Sequence, residues 1–79
     1  MNNDYEPSEF VLVFRTNIHC GEDLARLTPI LNSTFGGSRW SVDLSDVDRV
    51  LRIETSSSDT ITVIEKVTGA GFICEELLA

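Results

Sequence analysis

The sequence predicts an α+β fold in which a four-stranded antiparallel sheet carries two helices on one face. Three observations predict it. Apolar and polar residues alternate over short β-branched stretches at residues 10–15, 40–44 and 49–54. Apolar residues recur at helical spacing over residues 22–32 and again from Asp59 to about Gly69. Breaks rich in Gly, Ser and Asp separate these stretches and set the order βαββαβ.

The elements follow in turn. Residues 1–9 are polar, contain Pro7 and show no period, so they read as a loose leader ahead of one domain over residues 10–79. In strand 1, Phe10, Leu12 and Phe14 point inward while Val11, Val13 and Arg15 point outward. A loop over 16–21 leads to helix 1, whose core face is Leu24, Leu27, Ile30 and Leu31. Glu22 and Asp23 in its first turn suit the positive end of the helix. Pro29 lacks a backbone donor and crowds the preceding turn, which predicts a kink or an early end. Residues 33–38, with Gly36 and Gly37, form a loop. Trp40, Val42 and Leu44 are the inward residues of strand 2, and residues 45–48 turn the chain into strand 3, where Leu51 and Ile53 face inward. Ser58 or Asp59 caps helix 2, with Ile61, Ile64 and Val67 as its stripe and Val63 nearby. Residues 72–77 close the chain as strand 4. Right-handed crossovers then put strands 1 and 3 at the centre and strands 2 and 4 at the edges, a ferredoxin-like sandwich with one open sheet face.

Composition bounds the function. Seventy-nine residues make one small domain, which buries only about 60% of the surface its unfolded chain exposes. Thirteen Asp and Glu against six scattered Lys and Arg give a formal charge of −7 and argue against nucleic acid. No apolar run reaches the roughly 18 residues a membrane span needs, so no membrane insertion is expected. The N-terminus has no signal-peptide pattern, and a cytoplasmic location is the expectation. Two cysteines, Cys20 and Cys74, are too few for a disulfide framework and are expected to stay reduced.

From Phe10 to Leu77 the chain resembles the heavy-metal-associated domain of copper chaperones, mercury-binding proteins and the N-terminal modules of metal-pumping ATPases. Ile18-His19-Cys20-Gly21-Glu22-Asp23 falls on the family's Met-x-Cys-x-x-Cys loop. Trp40-Ser41-Val42-Asp43-Leu44 resembles its Val-x-Val-Asp strand, residues 49–53 its third strand, and Ile64 to Phe72 (IEKVTGAGF) its second helix with the terminal Gly-aromatic pair. The resemblance implies metal binding and transfer, with a metal-transporting ATPase or another metal-handling protein as partner. It also implies that Phe72 lies near the loop and shields it. The departure is at the second ligand, where Asp23 stands in place of cysteine.

The expected metal residues are therefore Cys20, His19 and Asp23, with Glu22 beside them. Sulfur, nitrogen and oxygen donors together suit Zn²⁺, whereas two Cys20 thiolates from a homodimer suit Cu(I). Adjacent residues in an extended loop point opposite ways, which works against His19 and Cys20 meeting on one ion. Cys74 shares the inward phase of Phe72 and reads as core. One histidine and two separated cysteines provide no nucleophile–base pair, so the chain reads as a non-enzyme. On the open face the pattern displays Val11, Val13, Val50 and Ile73 bordered by Arg15, Arg52 and Glu75, a surface suited to a partner. It carries no aromatic residue on which RNA bases could stack. Two readings follow: a metal-binding and transfer domain, or a degenerate member of that family serving as an interaction module.

Overall fold

A computed structural model describes residues 10–77. The expected leader, and residues 78–79 of the expected domain, lie outside the described residues. The elements are β1 (Phe10–Thr16), α1 (Gly21–Phe35), β2 (Trp40–Asp43), β3 (Val50–Thr55), α2 (Thr60–Gly69) and β4 (Cys74–Glu76). The sheet order is β2-β3-β1-β4, with every neighbouring pair antiparallel. This is the expected ferredoxin-like α+β topology.

The alternation in the strands fixes the packing. Phe14 lies opposite Leu51 and Leu12 opposite Ile53, while Val42 and Trp40 flank the same two β3 residues from the other side. These inward side chains meet Leu27 and Leu31 of α1 and Val63 and Val67 of α2 in one core. Both helices thus cover the same sheet face. Phe10, at the start of β1, is 38% exposed despite its inward phase.

Several boundaries differ from expectation. Thr16 belongs to β1 and is buried, since β4 pairs with it through Cys74. Ile18 is wholly buried, so the loop after β1 contributes to the core. Helix α1 neither stops at Pro29 nor ends at residue 32 but runs on to Phe35. Pro29 lies on its exposed side, and Leu31 and Phe35 beyond it are held by the core. Gly36 ends the helix with φ +94°, a backbone state that glycine adopts without strain, and its N–H caps Asn32.

In α2 the buried pair is Val63 and Val67, while Ile61 is 65% exposed, against the predicted stripe. Asp59 accepts bonds from the N–H groups of Ile61 and Thr62 at the start of the helix. Ile61 lies about 200° around the helix from Val63, so with Val63 and Val67 in the core it is turned to solvent. Leu44 lies in the β2–β3 turn rather than in β2, and β4 begins at Cys74 rather than Phe72.

Bonds from Thr62 and Ile61 hold the Asp59 carboxyl below its ordinary range, and its ordinary value is 3.8. A depressed carboxylate stabilises the fold above the unfolded-state value, and that contribution is lost as pH falls through the folded-state value. Asp59→Ala is therefore expected to lower the thermal midpoint by several degrees at pH 7, with the gap from wild type closing below about pH 4. A gap that stays constant from pH 7 to pH 3 would refute the cap.

Candidate functional site

The loop between β1 and α1 is where the expected metal residues lie, and Thr16 anchors its start. The Thr16 hydroxyl donates to the Arg49 carbonyl at 2.6 Å and accepts from the Ile18 N–H at 3.2 Å. Its N–H donates to the Asp48 carbonyl at 3.0 Å. The next side chain, Asn17, accepts from the Ile73 N–H at 2.8 Å and so ties the loop to the approach of β4. Ile18 then turns inward, His19 is exposed, and Cys20 is half-buried.

Cys20 is the N-cap residue of α1, with extended backbone, and its carbonyl accepts from the Leu24 N–H at 3.1 Å. No cap hydrogen bond uses its side chain, so the thiol is not spent on the helix end. Asp23 ties the loop to the first turn of α1: its Oδ2 accepts from the His19 N–H at 2.9 Å, and its Oδ1 lies 4.0 Å from Arg26. Arg26 in turn donates to the Ala70 carbonyl at 3.0 Å, and its guanidinium carbon stands 4.9 Å from the centroid of the buried Phe72 ring. Phe72 joins the core, as expected.

The structure thus brings Asp23 to the backbone of His19. It does not gather a donor set: among the described residues no group of three or more His, Cys, Asp and Glu is placed to hold a metal ion. Glu22 is exposed in the first turn.

Arg49 holds the loop in a way the sequence pattern gave no sign of. Among the described residues it is the non-glycine residue with positive φ, at +48°. Its guanidinium donates to the His19 carbonyl at 3.2 Å and to the Leu44 carbonyl at 2.8 Å. Only the turn signal at residues 45–48 hinted at an unusual backbone there.

Cys74 is buried opposite Thr16, and burial pushes its thiol up to about 11. On the open sheet face Val11 and Ile73 are 52% and 55% exposed, whereas Val13 and Val50 are half-buried. Arg15 and Glu75 form an ion pair across β1 and β4, and the hydrogen bond and charge of Glu75 raise the Arg15 pKa. At the opposite end of the sheet from the loop, an open hollow of about 110 Å³ is lined by Ser38, Arg39, Trp40, Ser41, Arg52 and Glu54, with neither His nor Cys. No helix among the described residues is long and apolar enough to cross a membrane. No family model matches the chain, and neither does any curated protein or solved structure.

The two thiols differ in access, and burial raises the pKa of Cys74. Iodoacetamide at pH 8 is expected to label Cys20 in the folded protein at least about tenfold faster than Cys74, with denaturant removing the difference. Equal rates in the native state would contradict the placement of Cys74.

Proposed function

We propose that this is a non-enzymatic, heavy-metal-associated-like domain that binds and passes on a soft metal ion through Cys20, with the other half of the coordination supplied by a second molecule. The observation that carries the reading is the state of Cys20: a half-buried thiol at the N-cap of α1, unused by the helix, in a loop with no complete donor set around it. The thiolate is the form of cysteine that binds a metal. Structural zinc takes four donors in a closed tetrahedron, whereas a soft Cu(I) ion is suited by thiolates alone. Cu(I) held between two thiolates therefore fits this loop better than Zn²⁺ held by Cys20, His19 and Asp23 of one chain. Asp23, bonded to the His19 N–H, serves the shape of the loop. The second thiolate comes from another copy of the chain or from a metal-handling partner such as a metal-transporting ATPase.

A second reading is favoured by one observation, the exposure of Val11 and Ile73 on the uncovered sheet face. On that reading the chain is a protein-interaction module that holds no metal, and the open face meets its partner.

Titration of fully reduced protein with Cu(I) and with Zn²⁺ against a competing chelator separates the two. The metal reading expects Cu(I) to be held more tightly than Zn²⁺, and Cys20→Ala to lower Cu(I) affinity by at least about a hundredfold. Cys74→Ala is expected to leave it unchanged. Equal Cu(I) binding by wild type and Cys20→Ala would exclude the site, and absence of binding by both would favour the interaction module.

A further inference from the structure

We propose that Arg49 is the positioning residue of the loop over residues 16–20, fixing where Cys20 is displayed; the metal consequence of this role rests on the reading of Cys20 as the metal thiolate. Arg49 lies 29 positions after Cys20 in sequence yet touches the loop at both ends. Its carbonyl receives the Thr16 hydroxyl at 2.6 Å, and its guanidinium reaches the His19 carbonyl at 3.2 Å. The same guanidinium nitrogen donates to the Leu44 carbonyl at 2.8 Å, so one side chain joins the β1–α1 loop to the β2–β3 turn. Among the described residues it forms no ion pair with a carboxylate, so its charge is directed at two backbone dipoles.

The backbone makes the role specific. A left-handed conformation is strained for a residue with a Cβ, and such residues persist where the surroundings over-determine them. Here the Arg49 N–H donates to the Asp46 carbonyl at 3.0 Å and Thr16 holds the Arg49 carbonyl. Glycine would suit the φ of +48° better, so the side chain is what arginine adds at this position. A planar guanidinium with several donors bridges two separate acceptors in a fixed geometry, which an ammonium on a flexible stem does less well.

Arg49→Gly removes the guanidinium while suiting the backbone, and Arg49→Lys keeps the charge without the planar fork. The test follows amide hydrogen exchange residue by residue, together with the rate of Cys20 alkylation, in both variants and wild type. In Arg49→Gly the His19 amide and the Cys20 thiol are expected to become about tenfold faster, while the amides of Leu12 and Ile53 change much less. Arg49→Lys is expected to recover part of the difference. A uniform rise at all amides, or none at the loop, would overturn the proposal. Should Arg49→Gly fail to fold, Arg49→Lys carries the test through the same contrast between loop and core. Cu(I) affinity is read in the same samples. If wild type binds no Cu(I), the metal reading fails while exchange still decides the positioning role. If Arg49→Gly loosens the loop and binds Cu(I) as wild type does, Arg49 has no role in presenting the thiol to metal.

Discussion

Strand β1 is paired along both of its edges, and the rest of the domain is keyed to that constraint. A central strand must satisfy its N–H and C=O groups on two sides, and any register slip would turn its apolar residues to water. Residues 10–14 are paired with β3 and residues 14–16 with β4, while the Val13 carbonyl accepts from the Leu77 N–H at 2.8 Å. Phe14 is shared by both ladders and is wholly buried. Once it is placed, Leu51 lies opposite it on β3, Val42 lies beyond Leu51, and the helices close over the apolar surface this creates.

The same constraint positions the loop. Thr16 is the last paired residue of β1, held by Cys74 on one side and by Asp48 and Arg49 on the other. Three segments therefore converge where the strand ends: the β2–β3 turn through Arg49, the approach of β4 through Asn17, and α1 through the bond from His19 to Asp23. Asp23 lies in the first turn of α1, three residues after Cys20. Its carboxylate accepts a backbone N–H, a bond to a charged acceptor that is stronger than its neutral counterpart. This bond serves the shape of the loop, and the loop itself carries one thiol, Cys20. A second molecule then becomes the natural source of the missing sulfur in the metal reading. The charge of −7 sets like against like when two copies meet, a cost that a shared metal has to offset.

What could be read from the sequence was what depends on local period. Strands β1 and β3, the Asp59 cap and the inward phase of Cys74 all follow from patterns within a few residues. Elements depart from the local pattern where tertiary contacts decide. Pro29 argued for a short helix, but the core grips Leu31 and Phe35 on its far side, and one missing backbone bond is outweighed. Ile61 is apolar enough for the stripe, yet the core receives Val63 and Val67 and leaves Ile61 on the far side of the helix. Thr16 and Ile18 read as loop because no local signal tells that β4 will pair with one and the core will receive the other. Within the candidate site, Cys20, His19 and Asp23 could be found as residue types at a familiar spacing. Their geometry could not, because it is set by Arg49, Asn17 and Arg26, whose partners are remote in sequence except for Asp23.

The most direct measurement is the mass of the reduced, Cu(I)-loaded protein under native conditions, taken with the copper count per chain. Two thiolates from two chains on one ion predict a species of two chains holding one Cu(I), absent when Cys20 is replaced by alanine. A single chain holding one Cu(I) with the same affinity in Cys20→Ala would contradict the shared-thiolate site.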